Sequence, residues 1–471
     1  MSISGKSDVD WRAFGAALGD IAVIDKAPLV KQKSRDFFWY SPVLKRQLSA
    51  CYGDLVARPK TEAELRAVMA QAYAWKVPVT LRGGGTGNYG QAVPLDGGLI
   101  IEMTGLEEIL EIGPDFVKVQ AGCNIHRLNQ ALREAGCELP IFPSTERMST
   151  IGGFIGGGSG GIGSIEHGML RDQGNIIDLT VLTMEESPRR LVLTGEDINI
   201  VHHAWGINGV IVALTLKTVP ARDWINCIAS FESYRAAFEA GLALSERTDL
   251  RRKLVTSVDA RIAAYFDKLQ DRLGAPRDLL LTLIAREDVA AFAELSVEAG
   301  GRADLCLDGD AMAAAGLPQV AEFSFNHTTL LVLKVDKSVT YLQVRVPAPI
   351  DSGKVVALAA HFGNEVLMHH EFIRLGGELV AIDLPVVRYS SDERLYQIIR
   401  TYEEWGFPVS DPHTCIIEDG GMKRADYRHL ATKKRFDPLG LLNSGKSREW
   451  ARVKEMTPEE IEALQPREGE A

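Results

Sequence analysis

The nine residues from Arg82 to Gly90, RGGGTGNYG, contain five glycines and follow the apolar run Val77 to Leu81. Because glycine has no side chain, such a loop can bring several backbone N–H groups onto one anion at close range. This chemistry suits the binding of a pyrophosphate. A flexible linker is the alternative, but linkers have polar flanks and this loop is flanked by strand-like apolar runs.

A second glycine cluster, Gly152 to Gly163, has eight glycines in twelve residues and follows the turn Phe142-Pro143-Ser144-Thr145. The chain has 44 glycines, and their clustering in two places indicates ligand loops rather than general flexibility. A shorter motif, Gly206-Ile207-Asn208-Gly209-Val210, leads into an apolar strand. We therefore expect both clusters to be ligand-binding loops.

The first loop also matches the G-x-G-x-x-G pattern of Rossmann domains, from Gly85 to Gly90. That pattern needs a helix that begins at the loop, with its N-terminus on the pyrophosphate. Pro94, Gly97 and Gly98 follow at once and would break any helix within one turn. The context therefore disfavours a Rossmann fold.

A second pattern match is the Walker A motif, which fits Gly440 to Ser447, GLLNSGKS. A P-loop follows a buried strand and opens a long helix in a parallel sheet. Here Arg435-Phe436-Asp437-Pro438 precedes the match and 24 residues follow it. We expect a chance match.

The composition is that of an ordinary globular protein with two or three domains: 471 residues, 46% hydrophobic and 24% charged. The net charge of −11 argues against a nucleic-acid partner. The six cysteines form no C-x-x-C pair, no apolar run approaches 18 residues, and the N-terminus lacks the apolar core of a signal peptide. We expect a cytoplasmic protein with reduced thiols and no transmembrane segment.

Regular alternation of elements follows a helical lead-in at residues 1–50. The capping pair Thr61 and Glu64 predicts a helix over 61–75, and a strand over 77–81 leads into the first glycine loop. Further predicted strands lie at 54–58, 99–103, 109–112, 116–121, 176–184 and 191–194, with helices at 125–135 and 198–205.

After Pro220 the glycine clusters stop and an α+β pattern begins. Predicted helices at 234–246, 289–299, 355–361 and 393–405 alternate with strands at 279–284, 341–346, 365–373 and 378–382, which indicates an antiparallel sheet. The predicted organisation is a lead-in over 1–50, a glycine-rich domain over 51–221 plus 423–471, and an α+β domain over 222–422.

Five of these motifs occur in one order that resembles FAD-linked oxidoreductases of the vanillyl-alcohol oxidase and p-cresol methylhydroxylase (PCMH) type. They are the first loop, the Pro143-Ser144-Thr145 turn, the second cluster, the motif from Gly206 to Val210, and the closing segment from Phe436 to Lys446. The resemblance covers residues 55–222 and 423–450. It implies an α+β fold, with FAD between two lobes and the middle domain as a substrate cap.

The resemblance also implies which residues bind FAD. The first loop would hold the pyrophosphate, the turn and the second cluster would line the ribityl and flavin path, Val210 would face the adenine or ribose, and the C-terminal segment would return to the flavin. The predicted set is Arg82, Gly83, Gly84, Gly85, Thr86, Gly87, Asn88, Tyr89, Ser144, Thr145, Gly152, Gly153, Ser159, Gly161, Gly163, Val210, Asn443 and Lys446.

Two departures from the family concern the link between protein and flavin. Many members with covalent flavin have a histidine where this chain has Thr86, and some have a cysteine where this chain has Met148 and Ser149. Neither side chain can form the usual histidyl or cysteinyl bond. We expect tightly held, non-covalent FAD.

Catalysis in such an enzyme moves a hydride to flavin N5 and a proton to a base on the cap. The predicted catalytic residues are His413, Arg388, His327, His369 and Tyr389. Arg388 would pair with a carboxylate or an oxyanion, and Tyr389 would donate from its phenol.

Related 2-hydroxy-acid dehydrogenases carry a G-D-G-N metal motif and an E-H-G motif, and this chain has neither. His413 lies about where E-H-G would fall. His369 and Glu371 can share one strand face, which leaves a divalent metal open as an alternative, but we predict no metal site.

The sequence thus predicts an FAD-dependent dehydrogenase or oxidase that acts on a small alcohol or hydroxy acid. Two alternatives stay open: a phenol or aromatic alcohol oxidase of the same family, and a non-catalytic FAD-binding subunit of a larger dehydrogenase. The electron acceptor (O2, a quinone or a redox protein) and a homodimeric state are also left open.

Overall fold

The computed structural model of the chain describes residues 9–158, 160–420 and 424–466. Its first lobe contains a small sheet with the helix Glu62–Ala74 packed against it. The sheet runs in the order Val23–Ile24, Leu55–Ala57, Leu99–Glu102, Val79–Arg82; its last three strands are parallel. Strand Val23–Ile24 comes from the predicted lead-in, so that segment completes the sheet of this lobe.

The second lobe contains a five-stranded antiparallel sheet covered by the helix Ile125–Glu134. The strand order is Ile109–Ile112, Phe116–Gln120, Val210–Lys217, Ile176–Leu182, Arg190–Thr194. The predicted helix over 198–205 is a short 3-10 turn, Gly195–Ile200, and the chain then turns sharply through His203 and Trp205, both with φ of 53°. A regular helix cannot pass through two such left-handed residues.

The first half of the second glycine cluster is helical, which corrects the prediction of a loop. The helix Ile151–Gly157 begins at Thr150, whose hydroxyl accepts the N–H of Gly153. Ile151, Phe154 and Ile155 lie on one face and are buried. Because this apolar face packs into the core of the lobe, tertiary burial outweighs the poor helix propensity of the glycines.

The middle domain is built on an eight-stranded antiparallel sheet. Its order is Arg302–Leu307, Trp224–Phe231, Asp278–Ala285, Arg252–Val258, His369–Leu375, Glu378–Asp383, Gln343–Val346, Val409–Ser410. One face is covered by the helices Tyr234–Glu246, Val289–Glu298, Ser352–Phe362 and Asp392–Glu404. The other face is covered in part by shorter helices, and its uncovered part looks toward the glycine-rich lobes.

Two predicted cap strands are each split because the chain moves between two sheets. Val339–Tyr341 and Val366–Leu367 pair with Val386–Arg388 in a small three-stranded sheet, and the chain then enters the large sheet. Predicted helices of the cap agree with the structure to within three residues. The α+β class predicted from the sequence is confirmed.

The remaining elements are short. A two-stranded sheet joins Cys137–Glu138 to Val219–Pro220. The other α-helices are Trp11–Ala17, Ala27–Lys33, Pro42–Leu48, Ser164–His167, Ala260–Ala263, Asp267–Leu273, Gly309–Ala314, Asn326–Val335, Tyr427–Phe436, Trp450–Val453 and Pro458–Glu462, and the other 3-10 turns are Phe38–Tyr40, Met103–Gly105, Arg286–Asp288 and Val320–Phe323. Among the described residues, no helix is both long and apolar enough to cross a membrane.

The C-terminal segment returns to the first lobe. Val79 donates its N–H to the carbonyl of Leu441 and accepts the N–H of Asn443, which adds a further strand-like partner beside Val79–Arg82. The Lys433 ammonium group is buried and bonds Asp437 and the carbonyls of Ile207 and Leu442. These bonds place the closing motif directly behind the first glycine loop.

Candidate active site

A cavity of about 1090 Å³ lies between the glycine-rich lobes and the uncovered face of the cap sheet. This exceeds the range of roughly 300–1,000 Å³ that is usual for sites of drug-sized ligands. Both glycine clusters and the Pro143–Thr145 turn line one wall. The cavity therefore has room for a large, extended ligand beside a second, smaller one.

Two glycines of the first loop, Gly83 and Gly84, are packed too closely to carry a side chain. A Cβ built on Gly83 would lie 2.1 Å from Oγ1 of Thr150, and one built on Gly84 would lie 2.0 Å from the carbonyl oxygen of Met148. The carbonyl of Gly87 accepts the N–H of Phe37 at 2.7 Å. The loop is thus fixed from three sides by other parts of the chain.

The same loop leaves a row of backbone donors free. The N–H groups of Gly84, Gly85, Thr86 and Gly87 have no hydrogen-bond acceptor among the described residues, and all four residues line the cavity. Consecutive amides directed into a concave wall form an anion site. These residues are half-buried, and the row of unbonded amides on the cavity wall is suited to a bound anion.

Three hydroxyl groups form a chain beside this loop, where covalent members of the resembled family attach their flavin. Oγ1 of Thr86 lies 2.8 Å from Oγ of Ser149, which lies 2.8 Å from Oγ1 of Thr145. Ser144 and Met148 also line the cavity here. The two positions that bear a histidine or a cysteine elsewhere are thus in direct contact, and both carry unreactive side chains.

The end of the helix Ile151–Gly157 opens onto the same cavity. A Cβ built on Gly156 or Gly157 would meet no protein atom within 4 Å. Beside them, Nδ1 of His203 and Nε1 of Trp205 are buried without a partner, and both residues line the cavity. The strained backbone at these two residues is tied down by bonds from their N–H groups to Ile155 and Gly156.

Residues 53–217 of this chain match the FAD_binding_4 family, described as an FAD binding domain. These residues are an FAD-binding domain. The resemblance predicted from the ordered motifs is therefore confirmed, and FAD is the cofactor of the domain.

Several curated relatives are similar to part of this chain. Glycolate oxidase subunit GlcD of Escherichia coli (strain K12) is 28% identical over 201 residues, 41% of this chain and 39% of the relative. D-lactate dehydrogenase of Anaerostipes hadrus is 31% identical over 192 residues, 38% of this chain and 39% of the relative. The uncharacterized FAD-linked oxidoreductase Rv2280 of Mycobacterium tuberculosis is 28% identical over 280 residues, 54% of this chain and 60% of the relative.

The chain thus spans about two fifths of the length of the first two relatives. A solved structure of alkyldihydroxyacetonephosphate synthase superposes with a TM-score of 0.70 over 94% of this chain and 87% of that one, at 13% identity. That identity shows a shared fold alone. It extends the agreement in architecture from the FAD-binding domain to the cap.

The cavity fits FAD in three respects. Free amides face the space where a pyrophosphate would be neutralised, glycines leave room where a side chain would intrude, and the indole N–H of Trp205 lacks an acceptor. Gly83 to Tyr89, Ser144, Thr145, Gly152, Gly153 and Gly161 all line this cavity, as predicted from the sequence. Their individual contacts with FAD stay a prediction.

Four further residues of the predicted set do not line the cavity, and a fifth lies outside the described residues. Gly163 and Val210 are packed behind it, and Ser159 lies outside the described residues. Asn443 donates to the carbonyls of Gln91 and Trp205, and buried Lys446 donates to the carbonyl of Gly90. Both side chains brace the loops from behind.

Arg82 also points away from the cavity. Its guanidinium curls under Gly85 and donates to the carbonyl of Arg35. Burial lowers the pKa of Arg82, while the nearby carboxylate of Asp36 acts in the opposite sense. Its charge therefore lies on the back of the loop.

Among the predicted catalytic residues, His327 lines the cavity and the other four do not. His327 lies in the first turn of the helix Asn326–Val335. Its Nδ1 has no partner among the described residues, and burial lowers its pKa. A neutral imidazole with a free nitrogen is a proton acceptor.

Arg388 and Tyr389 lie at the protein surface, away from the cavity. The Arg388 side chain donates to the carbonyl of Asn364, and the Tyr389 hydroxyl bonds Asp392, which also pairs with Arg46. His413 is buried between Ser41 and Tyr341, and burial lowers its pKa to about 3. These contacts fix the packing of the cap against residues 40–46.

His369 and Glu371 share one face of their strand, as the alternation predicts, and His370 faces the other side. Nε2 of His369 lies 2.8 Å from Oε1 of Glu371, and both side chains are completely buried. Within the ranges that the structure describes, no group of three or more His, Cys, Asp or Glu side chains could hold a metal ion.

Among the cavity residues that sequence reasoning missed, Arg345 is the one whose charge bears on the chemistry. Arg345 projects from the strand Gln343–Val346 into the cavity, next to Gln343, whose amide oxygen accepts the Tyr89 hydroxyl. The Arg345 side chain has no ion pair or hydrogen bond to any described residue. The alternation Gln-Val-Arg-Val was the available signal, since it places Gln343 and Arg345 on one face and buries Val344 and Val346 on the other.

Proposed function

We propose that this protein is an FAD-dependent oxidoreductase that oxidises a small hydroxy acid. The observation that carries the proposal is the pairing of two walls in one cavity. The FAD-binding loops form one wall, and an unpaired guanidinium and an imidazole with a free nitrogen stand on the other. Bound FAD supplies the hydride acceptor.

Arg345 favours an acid over a neutral alcohol. A guanidinium that faces a cavity without a counter-ion is suited to a carboxylate, which it binds through two parallel N–H donors. The polar neighbours Gln343 and Ser410 also line this part of the cavity. The carboxylate of the substrate would be held here, so that its hydroxyl-bearing carbon is directed at the opposite wall.

His327 is the proposed base. Oxidation of a C–OH group releases a proton as the hydride leaves, and a nearby neutral imidazole can accept it. Because burial lowers the pKa of His327, this side chain is neutral at pH 7. The remaining predictions, His369, His413, Arg388 and Tyr389, are here assigned to the support of the cap.

The relatives agree with this class, since two of them are named for glycolate and D-lactate. One is named as a subunit, so an FAD-binding subunit of a larger dehydrogenase is the alternative that this name favours. Thr86 and Ser149 support non-covalent FAD. Cytoplasmic location, a homodimer and the identity of the electron acceptor stay predictions.

The test is anaerobic reduction of the bound flavin. Purified, FAD-loaded protein is mixed with glycolate, D-lactate, L-lactate, vanillyl alcohol or buffer, and absorbance near the visible flavin maximum is followed. We expect bleaching with a hydroxy acid and none with vanillyl alcohol. Bleaching by the aromatic alcohol alone, or by no substrate at all, would overturn the proposal, and acid precipitation of the protein should leave the flavin in solution.

Substitution of Arg345 makes the test specific. Arg345→Met keeps the length of the side chain but removes the charge, and we expect the KM for the hydroxy acid to rise about 100-fold, in line with the loss of a charge-assisted pair. The matched control is Arg388→Met, a surface arginine on a nearby strand, which should leave KM unchanged. Equal effects of both changes would remove Arg345 from the site.

A further inference from the structure

The completely buried carboxylate of Glu371 has no part in the function described above. Its Oε1 accepts the backbone N–H of Phe325 at 2.5 Å and lies 2.8 Å from Nε2 of His369. Its Oε2 accepts the hydroxyl of Thr256 at 2.5 Å. A carboxylate in a dry interior is retained only where such bonds compensate for its lost hydration.

The residue that Glu371 holds is strained. Phe325 has φ 49° and ψ −139°, a backbone conformation that a bulky side chain rarely adopts. Strain of this kind persists where the surroundings over-determine it, and it concentrates at ligand sites. The hydrogen bond from the Phe325 N–H to a buried carboxylate is such a constraint, because a charged acceptor makes a strong, directional bond.

The strained residue begins one corner of the cavity. Phe325 is followed by Asn326 and His327, which open the helix Asn326–Val335, and all three side chains line the cavity. Oδ1 of Asn326 and Nδ1 of His327 are both buried without a partner at this edge of the cavity. Because both residues follow Phe325 directly, the positions of these two atoms depend on the backbone at Phe325.

We infer that Glu371 is a positioning residue, whose carboxylate locks Phe325 in its strained conformation and thereby fixes Asn326 and His327 toward the hydroxyl group of the substrate. The inference rests on the proposed function for the role of His327. His369 then serves to orient the Glu371 carboxylate, and its second nitrogen has no partner among the described residues. Residues 325–327 and 371 thus act as one unit.

The opposite face of the same strand supplies a control. His370 points to the helix-covered side, where its Nδ1 lies 2.5 Å from the Tyr234 hydroxyl and its ring packs on Phe238. Tyr234 is partly buried, and no hydrogen bond or ring contact joins it to residues 325–327. Tyr234→Phe therefore perturbs a polar contact of the same strand without reaching the cavity.

The experiment compares Glu371→Leu, Glu371→Gln and Tyr234→Phe as FAD-loaded proteins. Peptide mass spectrometry measures how fast diethyl pyrocarbonate modifies His327. Without the Glu371 carboxylate, Phe325 relaxes and the imidazole of His327 becomes more accessible. Glu371→Leu should therefore raise this rate about fivefold or more. Glutamine keeps an acceptor for the Phe325 N–H, so Glu371→Gln and Tyr234→Phe should stay within about twofold.

Kinetics give a second readout on the hydroxy acid that reduces the flavin. Glu371→Leu should lower kcat about tenfold or more, because the base is misplaced, while KM changes little since Arg345 is untouched. The dissociation constant for FAD should not change in any of the three proteins. An unchanged His327 modification rate in Glu371→Leu would overturn the inference.

A double variant covers the case in which Glu371→Leu does not fold. Glycine adopts the Phe325 conformation without strain, so the change Glu371→Leu should have little effect on His327 modification in a Phe325→Gly background. A full effect there would contradict the proposed lock on Phe325. If no hydroxy acid bleaches the flavin, the proposed function fails, but the modification test still decides the role of Glu371.

Discussion

Gly84 of the first cluster and Gly156 of the second line one cavity, but each position needs glycine for a different physical reason. In the first loop, protein atoms exclude a side chain: a Cβ on Gly84 would meet the Met148 carbonyl at 2.0 Å. In the helix Ile151–Gly157, a Cβ on Gly156 would meet no protein atom within 4 Å. The fold requires glycine in the first case. In the second case the space is left open for something that is not protein, and bound FAD is the candidate.

The largest effect should follow Gly84→Ala. The added methyl group displaces the loop from the Met148–Thr150 segment, and overpacking of this kind costs about 1–3 kcal/mol. We expect FAD binding to be lost and the midpoint of urea unfolding to fall in the apoprotein as well. Chemical denaturation without FAD, with flavin fluorescence titration beside it, measures both. Unchanged apoprotein stability would show that the crowding is relieved elsewhere.

One buried ionisable group beside each cluster should make the unfolding free energy depend on pH, and the two dependences should have opposite signs. Asp36, which accepts the N–H groups of Phe38 and Ala92 behind the first loop, has its pKa raised by burial to about 6. The native state therefore binds the proton more tightly, and this contribution to stability is present below pH 4 and lost as pH rises to 6. Asp36→Asn removes the ionisable carboxyl group, so its unfolding free energy should fall by about 3 kcal/mol less between pH 4 and pH 6 than that of the parent protein.

His203, beside the second cluster, has its pKa lowered by burial to about 4. The unfolded chain then binds the proton more tightly, so this contribution is present above pH 6.5 and lost as pH falls toward 4. In His203→Gln, the loss of unfolding free energy as pH falls from 6.5 toward 4 should be smaller by about 3 kcal/mol. Unfolding free energies from pH 4 to pH 7.5 for the two variants and the parent protein decide this, and parallel curves would refute the assignment.

Gly156→Ala tests whether glycine is needed at this position to leave space in the cavity rather than to allow packing of the fold. Alanine is a better helix former, so the apoprotein should gain about 0.5–1 kcal/mol in stability. FAD affinity should nevertheless fall about tenfold, since the methyl group takes up space in the cavity. Gly163→Ala is the matched control within the same cluster, because its Cβ would strike the Pro140 carbonyl at 1.9 Å and should destabilise the fold. A gain in FAD affinity for Gly156→Ala would contradict the comparison.

The smallest effect is expected for Trp205→Phe. The change removes the indole N–H, which has no partner in the described chain, but keeps an aromatic ring against Tyr89. Loss of one hydrogen bond to FAD should weaken binding about fivefold. Titration with FAD, followed by flavin fluorescence, measures the change, and an unaltered dissociation constant would mean that the indole faces the cavity without bonding the cofactor.

Sequence reasoning found the FAD-binding domain, and placed its glycine loops on the cavity, because their signal is local. Gly83 to Gly87 must be glycine-rich wherever a strand ends on a pyrophosphate, and Thr61 with Glu64 marks a helix start without reference to the rest of the fold. The glycine content of the second cluster predicts a loop, but the burial of Ile151, Phe154 and Ile155 makes its first half helical.

The cap site was harder, since its residues meet through tertiary packing. The types of His413, Arg388 and Tyr389 fit the chemistry, but the fold places His413 in the interior and the other two outside the cavity. Residue type alone does not distinguish Arg345 from the other arginines of the chain. It is distinguished by the face of the strand on which it lies and by its lack of a partner, and both depend on the whole sheet.

The bond from the Lys446 ammonium group to the carbonyl of Gly90 joins residues 356 positions apart. Together with the contact of Asn443 with Val79, it places the rear support of the first glycine loop far along the polypeptide. During synthesis, the glycine loop leaves the ribosome long before its brace exists. We therefore expect cofactor loading to follow translation of the whole intervening cap.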